Sequence, residues 1–146
     1  MKAGQFIHAS SLLDESIFED TIIFITEYNA KGAMGFIVNK QFPRGLTELE
    51  EFKQGTPFPL YEGGPVDQEH LFFVHQRPDL IPGGAPVTDK VYFGGDFKIA
   101  VNHINQRRLT GQDIKIFIGY CGWDDEELEA EVAEGSWTVT DAGEIF

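Results

Sequence analysis

The stretch DIKIFIGYCGWDDEELEAEVAEGSWTVT, residues Asp113 to Thr140, decides the fold, because it reads in order as strand, turn, helix, stop and strand. Ile114, Ile116 and Ile118 alternate with Lys115 and Phe117, the period-two pattern of a sheet strand. Gly119 and Gly122 then bracket an expected sharp reversal. Asp124 stands where an N-cap belongs, and Glu127 three residues later completes a capping box. Trp123 before the cap and Leu128 in the first turns have the spacing of a hydrophobic staple. Asp125, Glu126 and Glu127 place negative charge beside the positive end of the helix dipole, each worth roughly 0.3–1 kcal/mol. Leu128 and Val132 share one face, Gly135 ends the helix at C′, and Trp137 and Val139 open a final strand.

Composition sets the outer bounds. A chain of 146 residues fits one domain and buries about 68–70% of its unfolded surface. Thirteen phenylalanines supply a core without covalent staples. The single cysteine, Cys121, excludes an internal disulfide and suits a reducing compartment. No apolar leader follows Met1, and no apolar run approaches a membrane span, so a cytoplasmic location is expected, with no membrane partner. Twenty-four acidic residues against 11 basic give a net charge of −13, and Arg107-Arg108 is the only adjacent basic pair. Such a surface repels a phosphate backbone, which disfavours direct nucleic-acid binding.

Outward from the central stretch, strands and helices interleave. Gln5 to Ala9 predicts a short strand, and Ser10 to Asp20 a polar segment pinned to the core by Leu12, Leu13, Ile17 and Phe18. Thr21 to Tyr28 and Ala33 to Asn39 predict a hairpin around the four-residue loop Asn29 to Gly32, with Gly35 marking a bulge or a close backbone approach. Leu46, Leu49 and Phe52 predict a short amphipathic helix. Pro57, Pro59 and Gly63-Gly64-Pro65 predict an irregular crossing, and Leu71 to His75 a strand. Arg77 to Pro86 predicts a surface loop and Val91 to Phe93 a short strand. Asp96 then caps a helix whose Phe97, Ala100, Val101 and Ile104 share one face. The expected fold is therefore α+β: a single compact domain, residues 1–146, with a mixed, partly barrel-like β-sheet flanked by about three to four helices.

Several segments, in this order, resemble the AlgH-like (YqgE) family of bacterial proteins. They are Gly32-Ala33-Met34-Gly35 with Val38-Asn39-Lys40, Tyr61 to Val66, Phe73-Val74-His75, Gly119 to Trp123 with Leu128 to Glu131, and Trp137. Gln41 stands where the family usually carries proline. The resemblance implies a compact α+β domain with a mixed sheet and flanking helices. It implies no particular reaction, since the family is largely uncharacterised and often labelled as transcriptional regulators.

Chemistry-bearing residues are few. Cys121 lies between a strand and a helix start, yet Asp124 and Asp125 follow closely and nearby carboxylates raise a thiol pKa; it reads as a small residue in a turn. His8, His70, His75 and His103 form no metal-ligand spacing, so no metal or other cofactor is expected. His75, at a strand end beside a Pro/Gly loop, is the leading acid/base candidate, against the favoured plain reading of a hydrogen-bonded strand-end residue. Gly94-Gly95-Asp96 matches no phosphate-binding motif and reads as a turn. The acidic segment Asp124 to Glu134 is either a solvated face or a docking surface for a basic partner.

Three functional classes follow, the last of them a direct transcription factor, which the charge and the lack of a convincing helix-turn-helix disfavour. The first is a non-enzymatic regulatory or protein-interaction domain with an unidentified protein partner, a basic one being the candidate that the acidic charge suggests. Its surface would combine Asn39, Tyr61, Gly63, Gly64, Pro65, Tyr120, Gly122 and Trp123, residues that the family resemblance singles out. No catalytic residue is assigned. The second is a small-molecule-binding protein or hydrolytic enzyme with a cleft near His75.

Overall fold

Ten strands and two helices follow one another along residues 1–146 of the computed structural model. In chain order they are β1 (Phe6–Ala9), β2 (Ile22–Asn29), β3 (Gly32–Ile37), β4 (Gln41–Gly45), β5 (Pro59–Glu62), β6 (Val66–His75), β7 (Ala85–Pro86), β8 (Tyr92–Phe93), α1 (Phe97–Asn105), β9 (Ile114–Asp124), α2 (Glu127–Ala133) and β10 (Trp137–Thr140). Short 3-10 turns cover Ser11–Leu13, Leu46–Glu48 and Glu50–Phe52.

Strand β9 is the axis. Along one edge it pairs antiparallel with β6, from His75↔Ile114 to Val66↔Tyr120. Along the other edge it has two partners in succession. Leu60 to Glu62 of β5 run parallel to Ile116 to Ile118, and Gly35 to Gly32 of β3 then run antiparallel to Cys121 to Asp124. The sheet order is β10-β1-β2-β3-β9-β6-β8-β7, with β5 on β9 and β4 on β5. Every pairing except β5 with β9 is antiparallel, and the sheet curls into a half-barrel within one α+β domain.

The two faces of β9 explain the layers. Ile114, Ile116 and Ile118 pack with Ala100 and Ile104 of α1, and Phe117 joins Phe6, Phe24, Phe36 and Val74 on the opposite, aromatic face. The alternation slips by one residue at Gly119, whose φ is +72°. Beyond it Tyr120 takes the aromatic face, and Cys121 and Trp123 turn towards Leu128 of α2 and Trp137. One bulged strand thus carries a core under each helix and a third, aromatic one on the opposite face of the sheet.

Several expectations are corrected by this arrangement. Gly119 to Gly122 is not a reversal: one eleven-residue strand runs through it, because β3 and β6 pair with it on both edges. The cap of α2 is Glu126, in the left-handed region at φ 65°, and not Asp124. The reciprocal half of the expected box survives, since the Asp124 N–H donates to Glu127 Oε1 at 3.3 Å. There are two α-helices, not three to four. Leu49, extended at ψ 134°, splits the expected Leu46 to Phe52 helix into two 3-10 turns. The hairpin loop is shorter than expected, as Asn29 pairs with Gly32. Strands β4 and β5 occupy stretches whose prolines read as irregular. Pro43 is tolerated because β4 pairs only with β5, and Pro59 because it opens its strand. Strand β6 starts at Val66, five residues before its predicted start. Leu13 and Phe18 pack inward as predicted, whereas Leu12 and Ile17 are exposed. Helix α1 forms as read, with Asp96 Oδ1 accepting from the Ile99 N–H at 3.0 Å. No helix is long and apolar enough to cross a membrane.

Candidate functional site

The segments Tyr61–Val66 and Gly119–Trp123 meet where β9 changes neighbours. Gly63 donates its N–H to the Ile118 carbonyl at 2.8 Å and accepts from the Ile37 N–H at 2.9 Å. It thereby bridges β9 and β3 at the point where β5 ends. A Cβ on Gly63 would overlap the Gly119 carbonyl oxygen, one on Gly119 would overlap that of Gly64, and one on Gly64 would overlap the Tyr120 carbonyl. All three glycines are buried. Backbone lies directly on backbone here, an approach that only glycine permits. The Cys121 thiol sits beneath the crossing and donates to the Gly63 carbonyl at 3.4 Å.

Around this crossing the singled-out side chains have structural work. Asn39 Oδ1 accepts from the Ile22 N–H at 2.9 Å and its Nδ2 donates to the Asp20 carbonyl at 2.9 Å, which fixes the start of β2. The Tyr61 ring lies 4.1 Å from Lys115 Nζ, which donates to the Val38 carbonyl at 2.9 Å. Burial lowers the Lys115 pKa to about 8. Tyr120 meets Phe72 edge-on at 5.5 Å. Trp123 is buried, and its Nε1 donates to Glu131 Oε1 at 3.2 Å. The same oxygen accepts from Trp137 Nε1 at 2.9 Å, so one carboxylate of α2 holds both indoles. Gly122 is exposed and pairs with Met34; Pro65 is exposed at the turn into β6.

His75 stands apart from this group, at the far end of β6 opposite Ile114. Its side chain is fully buried, with Nε2 3.0 Å from the Gly94 carbonyl and Nδ1 accepting from the Arg77 N–H at 3.1 Å. That pattern assigns the proton to Nε2. Burial lowers its pKa, against the smaller opposing effect of the Gly94 carbonyl. Cys121 is likewise sealed, and burial pushes its thiol up to about 12. The acidic helix is only partly free, since Glu127, Glu129 and Glu131 bind Asp124 N–H, Tyr28 Oη and the two indoles. No three His, Cys, Asp or Glu side chains stand together as a metal-binding group.

The outer rim of the crossing is more open. Ile17, Ile37, Lys40, Glu62, Gly64, Pro65 and Gln68 line a shallow cleft of about 160 Å³. Ile17 is 60% exposed, Leu12 64% and Val66 40%. Apolarity alone predicts Leu12 and Ile17 against the core; the carboxylates of Asp14, Glu15, Glu19 and Asp20 are the signal that this segment faces water. A larger cleft, about 520 Å³, lies between the Glu50–Phe52 turn and α1, with Leu46, Phe52, Phe97 and Val101 as its apolar lining.

A curled half-barrel clamped by a glycine crossing, with its reactive groups sealed, defines a compact α+β class of domain. The family model described as DUF179, AlgH-like, matches residues 6–146, and the chain belongs to that family. A UPF0301 protein of Chlorobium luteolum is 37% identical over 142 residues, covering 97% of this chain and 75% of its relative. A UPF0301 protein of Bacteroides thetaiotaomicron is 33% identical over 138 residues, covering 94% and 70%. Among solved structures, the AlgH protein of Pseudomonas aeruginosa superposes with a TM-score of 0.76 at 24% identity, over 95% of this chain and 76% of that one. A Corynebacterium diphtheriae protein gives 0.79 at 17%, over 98% and 77%. These two likenesses speak for the fold alone.

Proposed function

We propose that this chain is a non-enzymatic, cytoplasmic protein-interaction or regulatory domain that acts through protein contacts and not through direct reading of DNA. The observation that carries the reading is the state of its two most reactive candidates. His75 has both ring nitrogens committed to backbone groups, and Cys121 is buried against the Gly63 carbonyl. Neither is placed to meet a substrate, which counts against hydrolysis. The net charge of −13 supports protein over nucleic-acid partners.

A second reading, a small-molecule-binding protein, is favoured by the 520 Å³ cleft beside α1, whose size falls in the range of about 300–1,000 Å³ common to ligand pockets. His75 is not among its lining residues. Affinity copurification from the native host, paired with a metabolite thermal-shift screen, separates the two. A stoichiometric protein partner with no saturable metabolite shift is expected. A saturable shift that Phe97→Ala abolishes, with no partner recovered, would replace the first reading with the second.

A further inference from the structure

Exposed aliphatic side chains are ordinary when scattered singly, but Ile17 is not scattered. It borders the cleft formed by Ile37, Gly64, Pro65 and Gln68, and Val66 continues the apolar surface beyond the turn. The loop that presents Ile17 is tightly bonded. Ser16 Oγ donates to the Leu13 carbonyl at 2.6 Å and accepts from the Phe18 N–H at 3.1 Å. The Glu15 N–H donates to Glu19 Oε1 at 3.1 Å, and Asn39 holds the Asp20 carbonyl. Glu15 and Asp20 both adopt the left-handed region, at φ 67° and 57°, where side chains other than glycine carry a conformational cost. A loop held this firmly with its aliphatic residues outward loses little freedom when a partner covers them.

Charge narrows the kind of partner. Ser10 to Asp20 contains four carboxylates and no basic residue, and Glu69 follows the Pro65 turn beside Asp67, which is bonded to His70 Nδ1 at 2.6 Å. Lys40 is the one lysine lining the cleft, and it is already paired with Glu62 at 3.4 Å. Size narrows it further: about 160 Å³ is well under a small-molecule pocket and suits a single inserted side chain. Within the protein-interaction reading above, on which this step rests, we infer that the Ile17 loop and the Gly64–Pro65 turn form a docking face for a basic peptide segment of a partner protein. One aliphatic side chain of that segment fills the cleft, and its Lys or Arg residues meet the surrounding carboxylates.

The test uses the full chain labelled with ¹⁵N and a 12-residue Lys-rich peptide bearing one central Leu. Controls are the same peptide with Leu→Ala and with every Lys→Glu. Saturable amide shifts centred on Ser10 to Asp20 and Glu62 to Glu69 are expected, with binding at least about tenfold weaker for each control. The Ile17→Asp variant is decisive, because it adds negative charge while removing the aliphatic wall. The proposal requires Ile17→Asp to weaken binding by about tenfold; unchanged or tighter binding reduces the effect to bulk charge and overturns it. Shifts centred on α2, or no saturable binding, overturn it too. A host partner captured equally well by wild type and Ile17→Asp would leave the interaction reading standing and remove only this face.

Discussion

The glycine crossing and the Ser10–Asp20 loop meet at one cleft, lined by Gly64 of the first and Ile17 of the second, and are built on opposite logic. At the crossing, three buried glycines bring three backbone segments into contact, and polar groups are satisfied by main-chain partners. In the loop, aliphatic and acidic side chains face water and the hydrogen bonds serve to hold them there. The contrast teaches that the residues which make the family recognisable are mainly geometric. Of the exposed residues around the cleft, Pro65 and Lys40 belong to the family's segments, whereas Ile17 carries no motif at all.

The comparison is broken most severely at Gly119. Gly119→Ala must place a side chain at φ +72° and against the Gly64 carbonyl, and should cost at least about 3 kcal/mol in urea unfolding. Next comes Glu131→Leu, which leaves two indole N–H groups without their shared acceptor; a loss of about 2 kcal/mol is expected, with a change in tryptophan fluorescence. His75 gives a smaller, pH-dependent effect. Its folded pKa lies below the ordinary 6.5, so the folded state disfavours the protonated ring. Its contribution is complete above 6.5 and drains away as pH falls from there through the folded value. Midpoint against pH should therefore fall more steeply below 6.5 for wild type than for His75→Leu. The smallest effect concerns Cys121. With the thiol buried and pushed up to about 12, native protein at pH 8 should be almost unreactive to a thiol-disulfide reagent and react fully once unfolded.

Much of the fold was legible. Alternation at Ile114 to Ile118, the Asp96 cap and the Gly135 stop each act within a few residues, and each is found. The reading failed where long-range pairing overrode local signals. Gly119 and Gly122 look like a turn, yet β3 and β6 hold both in a continuous strand. Pro43 and Pro59 look like breakers, yet an edge strand and a strand start accept them. The site was legible only as separate segments. That Gly63-Gly64 lies on Gly119-Tyr120 follows from β5 and β9 running parallel, a pairing between residues more than fifty positions apart. Ile17 faces water against its apolarity, in a segment whose carboxylates flank it on both sides.

Adjacent residues offer the most direct test of the claim that this motif serves backbone packing. Unfolding free energies of Gly64→Ala and Pro65→Ala, measured in urea on the same protein, compare a position pressed against Tyr120 with one open to water. A loss of at least about 3 kcal/mol for Gly64→Ala and a change within about 0.5 kcal/mol for Pro65→Ala are predicted. Wild-type stability in Gly64→Ala would contradict the account.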